Sequence, residues 1–100
     1  ISPVNPVGVY DVVAGDNGTQ GRYVFTTDNV RLVGGMTSGD VITIINNGGS
    51  DITIDAATNS VTLTNSADAS TGDRTLASKG MATVLYVGSA TAFISGAGLS

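Results

Sequence analysis

The sequence predicts an all-β fold: a small antiparallel β-sandwich, jelly-roll-like, of seven to nine short strands. Three observations predict it. The chain contains no Glu and a single Gln, and its only long basic residues are Arg22, Arg31, Arg74 and Lys79, so most strong helix formers are missing. What remains is dominated by Val, Ile, Thr, Ser, Asn, Asp and Gly, the residues of strands and turns. Turn signals recur at spacings of roughly 8–12 residues, and no window carries apolar residues at helical spacing.

Residues 1–6 read as an extended arm. Pro3 and Pro6 lack an N–H and hold their preceding residues extended. The arm is expected to stay out of the chain's own sheet, because each proline removes a ladder donor. The remainder, 7–100, reads as one domain. Residues 7–13 (VGVYDVV) are a first strand. Residues 14–21 (AGDNGTQG) are a turn-rich loop, with Asn17-Gly18 the strongest turn signal. Residues 22–27 (RYVFTT) are a second strand, with Tyr23 and Phe25 on one face and Arg22 and Val24 on the other. Residues 30–33 continue as a short strand, and 34–40 form a loop.

The middle of the chain has the clearest alternation. Residues 40–46 (DVITIIN) place Ile42 and Ile44 on one face. Residues 51–55 (DITID) place Ile52 and Ile54 inward, with Asp51, Thr53 and Asp55 outward. The intervening NNGGS predicts a hairpin with a five-residue connection. Residues 61–64 (VTLT) turn Val61 and Leu63 inward. Residues 65–73 are polar and predict a long mobile loop, and residues 74–76 a short edge strand. Residues 81–87 and 91–95 form a last hairpin across Gly88-Ser89-Ala90, before the tail at 96–100. The segments are loosely self-similar without a fixed period, so no solenoid is predicted.

Composition also narrows function. The chain lacks His, Cys and Trp, which removes the usual neutral-pH acid/base, the thiol nucleophile and the soft metal ligands. No enzyme activity, metal or cofactor is expected. The net charge is −4, with four basic residues, so a nucleic-acid-binding basic face is not expected. No apolar run approaches the ~18–20 residues of a membrane span. Residues 1–4 have no basic or apolar region of a signal peptide, and a preceding segment or initiator Met is expected to have been removed. A domain of this length buries only about 60–65% of its unfolded surface. It has no disulfide, so self-association is the expected reinforcement.

Candidate chemical residues read as structural. Asp16-Asn17-Gly18 and the Asn46-to-Asp51 segment hold oxygens and glycines but no calcium-loop spacing, and turns select the same residues. Asp51 and Asp55 read as the wet face of one strand rather than an acid/base pair. Ser78 and Lys79 are adjacent, so their side chains diverge. Asp73-Arg74 reads as a local surface pair. Tyr10, Tyr23, Phe25, Tyr86 and Phe93 read as packing anchors rather than a sugar platform.

The last third carries a resemblance. The run GDRTLASKGMATVLYVG at 72–88, followed by FISGAGLS at 93–100, is similar to C-terminal segments of tailed-phage virion proteins, of pattern G-x-R-T-L-A-x-x-G-x-A-T-x-x-x-V-G and then I-S-G-x-G-L. Phe93 stands where those proteins often carry Trp. Residues 41–64 resemble the core of the same module, so the likeness covers roughly residues 41–100. Such modules occur in capsid decoration (cement) proteins and in tail fibres and spikes. The resemblance implies a non-catalytic capsid decoration protein on the virion exterior. Its partners would be the major capsid protein and its own copies in a homotrimer. The alternative it implies is a tail-fibre module for host-receptor (glycan) binding or fibre attachment. Ile1, Pro3, Val4 and Pro6 are the candidate capsid-docking arm, because an extended peptide can lie along a neighbouring subunit.

Overall fold

Alternating apolar residues need a surface to bury against, and this chain provides it by curling one sheet upon itself. The computed structural model describes residues 2–100, without the side chain of Thr19. It is all-β, as the composition predicts, and its curled mixed sheet forms a small sandwich-like, jelly-roll-like body. The strands are β1 (Ser2–Val4), β2 (Tyr10–Asp11), β3 (Arg22–Thr26), β4 (Val30–Arg31), β5 (Val41–Asn46), β6 (Ile52–Asp55), β7 (Thr62–Asn65), β8 (Arg74–Tyr86) and β9 (Thr91–Leu99). Short 3-10 turns at Ala14–Asp16 and Gly18–Gln20 occupy the loop before β3.

The pairing is mixed rather than purely antiparallel. β1, β3 and β5 form one parallel wing, and β2, β4 and β6 form a second. β8 runs antiparallel to β5 and to β6 and joins the wings. β9 pairs antiparallel with β8 and parallel with β7. The parallel ladders match Ser2 with Arg22, Tyr10 with Val30 and Val24 with Ile44, an offset of 20 residues each time. The first half of the chain is therefore a short stack of coils, a solenoid-like element that the sequence analysis did not predict. β8 closes one end of the stack; β1 and β2 are the outermost strands at the other.

Several segments differ from expectation. β5 and β6 are not a hairpin: each pairs with a different half of β8. The predicted strand at 7–13 shrinks to Tyr10–Asp11. Gly8 takes φ +79°, and Val7, Val9 and Val13 face outward. Residues 74–76 are not a separate edge strand but the start of the 13-residue β8. β8 survives the Ser78-Lys79-Gly80 interruption by a bulge, with Lys79 at φ +62°. The polar loop after β7 is organised by Asn65, which is buried and accepts a hydrogen bond from the Ala67 N–H.

The core lies between the wings. Val24, Ile42 and Ile44 come from the first wing, and Val30, Ile52 and Ile54 from the second. Leu63, Leu76, Val84, Tyr86 and Ile94 complete the cluster. Each such side chain contributes about 1.5–3 kcal/mol on full burial. Tyr86 is fully buried and donates its hydroxyl to the Val33 carbonyl at 2.9 Å, the one aromatic that acts fully as the expected packing anchor.

Candidate functional site

The two wings present opposite outer surfaces. In β8, Ala82, Val84 and Tyr86 face the core, so Met81, Thr83 and Leu85 must face out. Register extends this face across neighbouring strands in three rows. The first joins Phe25, Ile45, Met81 and Ala97. The second joins Thr43, Thr83 and Ser95, with Tyr23 at its β3 end. The third joins Val41, Leu85, Phe93 and Thr64. None of these side chains is charged. Met81, Leu85 and Phe93 are 53%, 41% and 42% exposed, which is unusual for large apolar residues grouped on one face.

The face is not flat. An open hollow of about 380 Å³ lies on its β3 side, lined by Gly18, Gly21, Arg22, Tyr23, Thr43, Ile45 and Met81. On the opposite side, Leu85 and Phe93 are register partners on β8 and β9 and make an exposed apolar pair, the ridge of this face. The second wing instead carries a charged row, Asp11, Arg31 and Asp55, aligned by register. Arg31 Nε lies 2.7 Å from Asp11 Oδ1, and Arg31 Nη2 donates to Asp11 Oδ2 at 3.1 Å.

The sequence-predicted arm occupies a different environment from the expected one. Ile1 lies outside the described residues. Ser2 donates its N–H to the Gly21 carbonyl at 2.7 Å, and Pro3 and Val4 pair with Tyr23 and Val24. Ser2–Val4 of the expected arm is thus an edge strand of the chain's own sheet. The prolines permit this because successive residues direct their nitrogens to opposite edges, so that of Pro3 faces the open side, where no donor is required. Val4 and Pro6 are half-buried and Pro3 is exposed.

The remaining candidates are engaged in structure. Asp16 is buried, and its Oδ2 accepts from the Tyr10 hydroxyl at 2.6 Å and from the Val13 N–H at 3.0 Å. Burial first, and the Asp16 hydrogen bond second, push the Tyr10 hydroxyl up to about 12. Asn17 accepts from the Val41 N–H and donates to Asp40, tying the 3-10 turns to β5. Asp55 accepts from the Thr58 hydroxyl at 2.6 Å and the Thr58 N–H at 3.0 Å. These bonds hold its carboxyl below the usual range, opposite to the direction a general acid requires. Ser78 Oγ donates to the Gly48 carbonyl and Lys79 Nζ to Asn47, so both clamp the turn at 46–50. Asp73 is not paired with Arg74 side chain to side chain: its Oδ1 accepts the Ala56 and Ala57 N–H groups, while Arg74 Nε donates to the Asp73 carbonyl.

Residue-by-residue reading missed the outer face. A signal was present: MATVLYV is apolar on both faces, the mark of a strand covered on both sides. No family model matches the chain, and no curated protein matches it.

Proposed function

We propose that this chain is a capsid decoration protein of a tailed phage, a non-catalytic module that cements the major capsid protein shell from outside and acts as a homotrimer. The observation that carries this reading is the uncharged outer face of the first wing. An apolar surface of this kind suits burial against protein. Its polar groups are the hydroxyls of Tyr23, Thr43, Thr64, Thr83 and Ser95, without the charged or amide side chains that most often hold a phosphate backbone or a glycan. The charged row of the second wing suits contact with water. The resemblance over residues 41–100 supplies the virion setting.

In this reading Pro3 and Val4 contact the capsid from the edge strand β1, with Pro6 just beyond it, rather than from a free arm; Ile1, the fourth residue of the expected arm, lies outside the described residues. The outer edge of β1 offers carbonyl acceptors, while Pro3 withholds a donor, which limits strand addition by further copies. A second reading, a tail-fibre module, is favoured by one observation. The parallel stack is closed by β8 at one end and bounded by β1 and β2 at the other, the geometry of a terminal unit in a longer stack.

Copy number separates the two readings. A stained gel of purified particles should give roughly hundreds of copies per virion for a shell-wide protein that follows capsid symmetry. A few tens or fewer would sink the decoration reading and leave the fibre.

A further inference from the structure

We propose that copies of this chain join through the outer face of the first wing, the Leu85–Phe93 ridge of one copy seating in the hollow beside Tyr23 of its neighbour. The inference deepens the protein-contact reading of this face and rests on it; here the partner is a second copy.

Ridge and hollow lie on the same face, on β8–β9 and on β3–β5. They are separated by up to three strand spacings, about 14 Å. The ridge is apolar and exposed, with Phe93 at 42% and Leu85 at 41%. The hollow holds about 380 Å³, and Ile45, Met81 and Thr43 are among its lining residues. An aromatic side chain is of the right scale for such a space and buries 150–250 Å² when seated, on the order expected for any Phe. At the rim stands Arg22: among the described residues no hydrogen bond or ion pair holds its guanidinium, which can lie over an inserted ring.

Charge favours a copy over an unrelated partner. The rows contain no acid or base, so a charged surface would be desolvated against them without compensation. Another copy of the same face brings one charged group, Arg22 at the rim of the hollow, and otherwise carries no such penalty. The charge of −4 lies elsewhere on each copy, largely on the second wing and the loops. A two-fold axis lying in the plane of the face, perpendicular to the line that joins ridge and hollow, seats each ridge in the opposite hollow. A closed ring seats one per neighbour. In both arrangements Phe93 meets the hollow and does not meet another Phe93.

The chain contains no cysteine, so disulfide trapping reads this contact directly. Phe93→Cys and Tyr23→Cys are purified separately, mixed and mildly oxidised. A disulfide forms only where Cα atoms approach within about 7 Å. The mixture is expected to give at least tenfold more cross-linked dimer on a non-reducing gel than either variant alone. Equal yields from the separate variants, or no cross-link in the mixture, would overturn the proposal. Circular dichroism melts verify folding, and Thr43→Cys, in the same hollow, replaces Tyr23→Cys if that variant unfolds. In parallel, Phe93→Asp is expected to sediment as a monomer whose melt stays cooperative but no longer shifts with concentration, while the native chain associates at micromolar concentration and its melt does shift. A native chain that stays monomeric also overturns the proposal. Copy number on the virion is scored independently, so failure of the self-contact leaves the decoration reading standing.

Discussion

Gly96 lies so close to the Met81 carbonyl that a Cβ built at position 96 would fall 2.2 Å from that oxygen and 2.6 Å from the Ala82 Cα. Both neighbours are backbone of the paired strand β8, which cannot rotate away as a side chain could. The glycine in the tail "ISGAGLS" is therefore required by the approach of two strands rather than by a turn. Gly96→Ala is expected to lower the unfolding free energy by about 2–3 kcal/mol, the scale of overpacking. Gly49→Ala, where nothing lies within 4 Å, is the control and should change it by less than about 0.5 kcal/mol. Urea unfolding of both variants checks the pair, and equal effects would refute the close approach.

Asn46 is fully buried although its sequence context, NNGGS, reads as an exposed turn. Its Nδ2 donates to the Ser50 carbonyl at 2.8 Å and the Leu76 carbonyl at 3.1 Å, and its Oδ1 accepts from the Gly48 N–H at 2.9 Å. It thereby ties β5, the turn and the start of β8 together. Asn46→Ala leaves these backbone groups without their partner and is expected to cost about 3 kcal/mol, since unsatisfied buried groups carry their full desolvation penalty. Denaturant titration against Ser66→Ala, an exposed position, checks this. A loss below about 1 kcal/mol would mean that water replaces the side chain.

The alternating strands were legible, and the pairing between them was not. Ile42, Ile44, Ile52, Ile54, Val61 and Leu63 all face inward as the alternation predicts. Alternation has period two in parallel and antiparallel ladders alike, so it could not reveal that β5 and β6 pair with β8 instead of each other. The 20-residue offset was hidden because equivalent positions do not share identity: Tyr10 pairs with Val30 in one ladder and Thr26 with Asn46 in another, and the next step, Val30 to Ile54, is 24 residues. Lys79 and Gly80 read as a break because a bulge and a turn use the same residues. The outer face required register as well. Leu85 and Phe93 share the predicted hairpin, but Val41 is far from both in sequence and joins their row only after β5 pairs with β8.

The β1–β3 ladder changes what truncation should do. Sequence alone predicts that residues 1–6 add nothing to stability. The Ser2–Gly21 hydrogen bond and the Val4–Val24 pair imply a contribution of about 1–2 kcal/mol, on the scale of a few net backbone bonds. Removing 1–6 is expected to lower the melting temperature by several degrees while the chain remains folded, because β3 keeps β5 as a partner. A melt identical to that of the full chain would show that β1 contributes nothing to the ladder.

Tyr10 links the first coil to the buried Asp16, and its titration supplies a pH test. The hydroxyl ionises near 10.0 when unfolded and at about 12 in the folded chain, because burial and the hydrogen bond to Asp16 both oppose the phenolate. A folded pKa above the unfolded one means that the stabilisation is complete below pH 10. It is lost as pH rises through 10 towards 12, where the unfolded state releases the proton first. Tyr86 is raised by burial in the same direction, so the native chain weakens in alkali through both residues. Tyr10→Phe isolates one of them. At pH 8 the variant should be less stable than the native chain by about 1 kcal/mol, the net worth of one hydrogen bond. Between pH 10 and 12 that gap should narrow, because only the native chain has the Tyr10 proton to lose. Unfolding curves at half-unit intervals measure the gap, and one that stays constant from pH 8 to 12 would place the Tyr10 hydroxyl in water rather than on Asp16.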